Sequence, residues 1–343
     1  MDLTLGAEQE AVRDAIRGVL ADRLPSSRLR VLLNEPSPMD PDVWREAGSL
    51  GWFGLGLPEA AGGAGYGLAE EMLLFVELGR ALAPGPWLGT VLAARALADA
   101  AGFRDVLAEV LAGTRPVAVV DDAGNALGGD GRLAGASDAV ADADAARALL
   151  VLGRDAVRWV AADAGGVTLT PAASIDPTRR LARVRFDAAT GEPLPVDAGM
   201  LRRVARVLVA AEAVGIAERT LEASVAYAKV RQQFGRPIGS FQAVKHRCAD
   251  MAVRAEVARS LTAYAAVALR DGDADANRHV HEAKALATDA ALANASDNVQ
   301  NHGGMGFTWE ADAHLYLKRA WVLEHQFGSR TAHLDALAAA WRE

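Results

Sequence analysis

Apolar positions near the start of the chain fall on one face of a helix: Val12, Ile16, Val19 and Leu20 recur at three- and four-residue spacing. The stretch LGWFGLGLPEAAGGAGYG (50–67) interrupts this pattern with repeated glycines and Pro58. Such a stretch is either a flexible connection or a place where backbone approaches something closely. Helical spacing returns from Leu68 to about Leu82, and APGPW (83–87) punctuates it. The pattern then changes period. PVAVV (116–120), ALLVL (148–152), VRWVA (157–161), VTLT (167–170) and ARVRF (182–186) are short β-prone runs. Several alternate between apolar and polar residues, with Gly, Asp and Pro turns between them.

From about residue 198 the helical period resumes. Val204, Leu208 and Ala211 keep one face, and Val253, Val257, Leu261 and Tyr264 another. The turn DGDADAN (271–277) separates them from an Ala-rich helix over about 278–299. The pattern predicts a mainly α chain with a central, mostly antiparallel β domain. Its three segments are an N-terminal helical domain (1–113), a middle β domain (114–197) and a C-terminal helical bundle (198–343).

Composition sharpens this reading. The chain has 343 residues, more than one core usually fills. It is 51% hydrophobic with only 6% aromatic residues, so Ala, Val and Leu supply the core, which favours tightly packed helices. The net charge of −8 is spread among interspersed acids and bases. No basic tract points to nucleic acid or an anionic membrane. The single cysteine, Cys248, rules out an intrachain disulfide and is read as a buried structural thiol in a reducing compartment. Charges such as Arg95 break the longest apolar runs, and MDLTLGAEQEAVRD lacks a basic-then-apolar signal pattern. A soluble cytoplasmic protein is expected.

Two glycine-bearing stretches carry candidate chemistry. RQQFGRPIGSFQAVKH (231–246) places Arg231, Phe234 and Gln242 between two helical patterns. An Arg offers a planar fork for phosphate oxygens, an aromatic can pack on a flat ring, and a Gln both donates and accepts. A plain interhelical loop with a capping Arg reads equally well from these residues. VQNHGGMGFTWE (299–310) follows the Ala-rich helix with Gln300, Gly303, Gly304 and Gly306. Paired glycines admit close backbone approach to a ligand, and they also make ordinary C-caps. His246 and His302 lie in these motifs without metal-ligand companions, so no metal is implied.

Together, RQQFGRPIGSFQAVKHRCADM and VQNHGGMGFTWE followed by LYLKRA resemble the C-terminal signatures of the acyl-CoA dehydrogenases. LGWFGLGLPEAAGGAG and ELGRALAPGPW near the N-terminus, and DPTR (176–179), extend the resemblance over nearly the whole chain. It implies an N-terminal helical domain, a β domain and a C-terminal four-helix bundle, with FAD as cofactor and an oligomeric assembly. It further implies that Arg231 contacts the FAD pyrophosphate region and Phe234 packs by the adenine. Gln242 and the run from Gln300 through Gly303 and Gly304 would hold the ADP half of a flavin bound mainly by a neighbouring subunit.

The chemistry of such an enzyme needs a base for the α-proton of an acyl thioester and an acceptor for the β-hydride. Many family members carry a Glu before Gly-Thr near the C-terminus. The corresponding stretch here is LEHQFGSR (323–330): Gly328 and Ser329 match the Gly-Thr, with Ser329 a cofactor contact, but Phe327 stands at the base position. Other members place the base on the first long C-terminal helix, where this chain has Ala205 and Arg206. Glu212, among small apolar residues in VAAEAVG, is a further candidate base. The alternative for Glu212 is an interhelical pair with an Arg or Lys. Glu324 is a third candidate, with a solvated face its plainer reading. In the β segment, VVDDAGNALGG (119–129) replaces a flavin-contacting run. Ala139 and Ala141 stand where the family has Trp and Thr, and Trp159 lies too far along to replace them.

The reading that follows is an FAD-dependent acyl-CoA dehydrogenase, or a subunit of one, in fatty acid or steroid side-chain metabolism. Its partners would be acyl-CoA and an electron-transfer flavoprotein or similar acceptor. Its assembly would be a homo-oligomer or a heterotetramer with a related subunit. A non-catalytic relative that completes another subunit's FAD site, and a dehydrogenase of carrier-protein-bound acyl chains, are the alternatives.

Overall fold

The computed structural model describes residues 3–35, 37–121 and 132–340. Six helices come first: α1 (Ala7–Arg23), α2 (Ser26–Leu32), α3 (Pro41–Ser49), α4 (Leu68–Ala81), α5 (Trp87–Leu97) and α6 (Arg104–Leu111). The strands follow: β1 (Val117–Asp121), β2 (Leu133–Ala141), β3 (Ala148–Leu152), β4 (Val157–Ala161), β5 (Val167–Ala172), β6 (Leu181–Ala189) and β7 (Glu192–Leu194). The last part holds α7 (Ala198–Val230), the small strands β8 (Gln232–Gln233) and β9 (Arg236–Pro237), α8 (Gln242–Asp271), α9 (Ala276–His302), α10 (Ala313–His325) and α11 (Arg330–Ala340). Helices flank a small β region, the expected fold class. The chain divides into two compact units: Met1–Ala21, Met72–Leu82 and Arg206–Glu343 form one, and Asp22–Glu71 with Ala83–Ala205 the other.

In the β-containing unit, one sheet has the order β1-β3-β4-β7, with β1 and β3 parallel and the other pairs antiparallel. The second sheet, β2-β6-β5, is antiparallel throughout. Ala182, Val184 and Phe186 of β6 alternate inward against exposed Arg183 and Arg185, and meet Val120, Leu149, Val151 and Val160 of the first sheet in one core. β2 was not evident in the sequence because Ala, Gly, Ser and Asp dominate it. Its pairing with β6, rather than its propensity, makes it a strand. Trp44, Phe53 and Trp87 form an aromatic cluster, with Trp44 4.6 Å from each of the others. The glycine-rich 50–67 stretch folds back on itself: Ala64 donates to the Gly54 carbonyl (3.0 Å) and Gly65 to that of Leu57 (2.8 Å). The close backbone approach that its glycines allow is thus met within the chain.

The helical unit is built around α9, which packs with α8, α10 and α11. α7 has 33 residues and is about 50 Å long. A Cβ at Gly79 of α4 would strike the Glu212 carbonyl, and one at Gly215 of α7 would strike the Val76 carbonyl. The two helices touch backbone to backbone, and neither contact can yield by a side-chain rotation. Gly215→Ala is expected to lower stability by about 1–3 kcal/mol or more. A urea midpoint unchanged from that of the parent would show that α4 can move aside.

Candidate functional site

α7 runs out at Val230, and a tight hairpin follows. β8 pairs with β9 through Gln232↔Pro237 and Gln233↔Arg236. Phe234 and Gly235 at its tip have φ of 51° and 77°, the signs that a type I′ turn demands. Glycine tolerates this, but a phenylalanine held there costs on the order of 1–3 kcal/mol. Phe234 is nevertheless 91% exposed, with the edge of Phe241 at 6.1 Å. Arg236 lies 4.2 Å over the Phe241 ring, and α8 then begins at Gln242.

The second motif ends α9. Gly303 has φ 61° and ψ −142°, backbone open to glycine alone, and nothing stands within 4 Å of a Cβ built on Gly303 or Gly304. The two motifs are drawn to one place. Tyr227 stacks on His302 at 4.3 Å, and Arg247 donates to Asn301 Oδ1 at 2.8 Å. Behind them a polar seam fixes the register of three helices. Asn294 donates to the carbonyls of Ala217 (3.0 Å) and Met251 (2.9 Å), and Ser224 to Asn298 Oδ1 (2.9 Å). Arg254 bonds Asn294 and Asp297. Cys248 is half-buried, 3.9 Å from Asn301 Nδ2. The side chains of Arg231, Gln242 and Gln300 are exposed, with no hydrogen bond among the described residues. Beside the hairpin, Val225, Ala228, Pro237 and Val244 line an apolar groove of about 440 Å³ flanked by Lys229 and Lys245.

The base positions lie elsewhere on the same unit. After α10 the chain turns through Phe327 (φ 58°) and Gly328 (φ 109°). Ser329 caps α11, its Oγ accepting from the Ala332 amide at 3.2 Å. Arg206 Nε donates to the Phe327 carbonyl at 3.3 Å. The two positions at which the sequence resemblance places a base, 327 and 206, therefore meet in space, and they hold a phenyl ring and a guanidinium that keeps its proton. Glu324 does not face solvent as its sequence suggests. It is 9% exposed, and its Oε1 accepts from the Arg330 amide at 2.7 Å. Its other oxygen lies 3.0 Å from His325 Nδ1.

Beneath this turn, Lys284 of α9 is fully buried and donates to the carbonyls of Leu323 (3.0 Å), Glu324 (3.2 Å) and Gly328 (3.3 Å). Burial pushes its ammonium down to about 7, partly opposed by Glu324. His281 and His333 share one hydrogen bond, Nδ1 to Nδ1 at 2.8 Å. Burial first, then neighbouring cations, push His281 down to about 4 and His333 to about 3.

Glu212, the remaining candidate base, is buried in an ion pair. Its Oε1 accepts from Arg319 Nη1 at 2.7 Å, while Arg319 Nη2 donates to the Leu82 carbonyl at 3.3 Å. The interhelical pairing that competes with the base role in the sequence is the one the fold contains. The guanidinium already occupies Oε1 of this carboxylate. Ser329 also stands apart from the other cofactor candidates. The turn it ends is gripped at Lys284, and α9 travels about 24 Å from there to Gln300.

Residues 201–341 match the family description "Acyl-CoA dehydrogenase, C-terminal domain", and residues 6–104 match "Acyl-CoA dehydrogenase, N-terminal domain". Over 320 residues the chain is 38% identical to Acyl-CoA dehydrogenase IpdE2 of Mycobacterium tuberculosis, covering 93% of this chain and 92% of that one. The chain belongs to the acyl-CoA dehydrogenase family. Acyl-CoA dehydrogenase FadE34 of the same organism is 37% identical over 93% of this chain, which spans 46% of FadE34's length. Among solved structures, the "Tcur3481-Tcur3483 steroid ACAD G363A variant" superposes with a TM-score of 0.92 at 32% identity, covering 99% of both chains. The ChsE4-ChsE5 complex from Mycobacterium tuberculosis does so with a TM-score of 0.91 at 27% identity, covering 100% of this chain and 99% of that one.

An acyl-CoA dehydrogenase uses FAD, and the residues present fit its nucleotide end. An exposed guanidinium, two exposed amides and glycine backbone with open space above it gather at the joined ends of α7, α8 and α9. The flavin end is less furnished. Ala139 is exposed at an irregularity of β2, Ala141 is half-buried, and residues 122–129 of the other expected contact lie outside the described residues. Trp159 is taken up by the core of its unit, 6.4 Å from Phe103. Sequence reasoning missed Lys284. Its signal was a lone charge on the face of α9 shared with Val280, Ala287 and Ala291, all buried.

Proposed function

We propose that this chain is the base-less subunit of a heteromeric acyl-CoA dehydrogenase, helping to hold FAD while a related subunit supplies the carboxylate that takes the α-proton. The observation that carries this reading is the contact of Arg206 with Phe327, which brings both family base positions together without a carboxylate. The ion pair of Glu212 with Arg319 supports the same reading. In the assembled enzyme, bound FAD supplies the hydride acceptor. This chain's part is positional: Arg231, Gln242 and Gln300 hold the nucleotide's polar groups, and Gly303 and Gly304 let backbone approach it.

The exposed aromatic surface supports an assembly. Phe234, Phe307 and Trp309 are 91%, 72% and 60% exposed on the two motifs, more apolar ring than a lone chain leaves in water without use. A heteromeric arrangement is supported by the ChsE4-ChsE5 complex, and the acyl thioester of a steroid-derived chain by the neighbour described as a steroid ACAD. An electron-transfer flavoprotein or similar acceptor would reoxidise the flavin.

The test is to purify the chain alone and together with a co-produced related acyl-CoA dehydrogenase chain. The readouts are flavin absorbance, mass in solution and acyl-CoA dehydrogenation. Loss of a general base costs about 10²–10⁴-fold in rate, so turnover alone should fall at least about 10²-fold below that of the pair. Full turnover by a homo-oligomer with one FAD per chain would end this reading.

A further inference from the structure

The turn from Leu323 to Gly328 is held in an unusual way. Two cations from two other helices grip four of its carbonyls: Lys284 of α9 takes those of Leu323, Glu324 and Gly328, and Arg206 of α7 takes that of Phe327. Three acceptors around one nitrogen match the three N–H bonds of an ammonium. They also include free carbonyls at the C-terminal end of α10, where a cation is favoured by the helix dipole. The grip spans the two residues with positive φ, Phe327 and Gly328. Phenylalanine gains nothing from that backbone conformation, so the surroundings impose it. The side chain of residue 327 takes no part in any of these four bonds.

We propose that Lys284 is the positioning residue of this turn: by holding its carbonyls from below, it fixes where residue 327 stands, whatever side chain that residue carries. The groups facing Lys284 are Glu324 from α10, Arg206 from α7, His281 from its own helix and His333 from α11. Both histidines are neutral around pH 7, and Arg206 stays charged. Lys284 is then the group of this cluster that changes charge near neutrality. Burial lowers its value below that of a solvated lysine, so the closed turn sheds the proton more readily than an opened one. Raising the pH through 7 therefore favours the closed turn, because the neutral amine keeps two N–H donors for these carbonyls and sheds the cost of a buried charge, which is the larger effect. The meaning of position 327 rests on the family's base position, but the grip is measured without turnover. Its failure would leave the subunit reading standing.

The experiment is hydrogen exchange by mass spectrometry on the full chain, comparing peptide 321–333 with a reference peptide of α8, between pH 6 and pH 9. In the parent, protection of 321–333 corrected for intrinsic rate should rise with pH. In Lys284→Met, which keeps the stem and removes the donors, that dependence should vanish. Exchange of 321–333 at pH 8 should also run at least about tenfold faster, with the α8 peptide unmoved. Unchanged protection of 321–333, or equal acceleration of both peptides, overturns the proposal, as does a pH dependence that survives the substitution. Should Lys284→Met not accumulate as folded protein, Arg206→Met removes one grip only. Acceleration confined to 321–333 then supports a turn held through its carbonyls, and none, or a uniform one, overturns it.

Discussion

Glu212→Gln is expected to lower stability by about 3–5 kcal/mol, the range for removing one partner of a buried ion pair. Arg319 is fully buried, and Glu212 is 3% exposed. Deleting the carboxylate charge leaves a guanidinium in a low-dielectric interior without the counter-charge that Glu212 gives it. Neutralising both ends should recover most of the loss, because replacing a buried pair by apolar side chains of similar size is often neutral. Glu212→Leu combined with Arg319→Met is therefore expected to unfold nearer to the parent than either single variant does. Urea unfolding of the parent, Glu212→Gln, Glu212→Leu, Arg319→Met and the double variant measures this. A catalytic Glu212 predicts the reverse pattern, in which Glu212→Gln keeps its urea midpoint and loses turnover in the assembled enzyme.

Acid should weaken the helical unit well before ordinary carboxylate titration. His281 and His333 are pushed down to about 4 and about 3, below the ordinary value of about 6.5. Between these values the unfolded chain binds protons that the folded chain refuses, so stability falls as pH drops from about 6.5 toward 4. Their shared Nδ1 contact adds to the effect, since a doubly protonated pair would set two N–H groups against each other. Discounting for the solvent that reaches half-buried His281, the two should together cost on the order of 3–5 kcal/mol over that range. Urea midpoints at pH 7, 6, 5 and 4 for the parent and for His333→Phe would test it. The variant should show a clearly shallower decline, and parallel curves would mean that other groups carry the acid sensitivity.

Much of this architecture was legible from periodicity. The β-prone runs became β1, β3, β4, β5 and β6, and Gly272 ends α8 with a left-handed φ of 70° where the DGDADAN turn suggested a break. β2 and β7 were not legible. The first is built of poor strand formers and the second carries Pro193, and both owe their conformation to partners elsewhere in the chain. The two glycine-bearing motifs were legible because each sits at a helix end, where glycines and exposed polar groups break a regular pattern. Counting along the motifs also led to residues 206 and 327, which the fold sets in contact. What no local pattern reported was partnership across distance. Arg319 lies 107 residues from Glu212, and Lys284 lies 39 residues before the first carbonyl it grips. Ser329 matched a cofactor contact by position, yet its hydroxyl caps a helix.

On the subunit reading proposed above, the turn at 323–328 separates architecture from chemistry at a single residue. Four main-chain oxygens hold it, and main-chain oxygens are the same under every substitution. A gene copy that lost its acid at this position would lose an activity while keeping its shape. It would therefore pass any selection that asks only for a folded, assembling protein. Such a site can drift from reagent to scaffold in one step, and a duplicated enzyme can divide labour between its copies without first crossing a valley of unfolded intermediates.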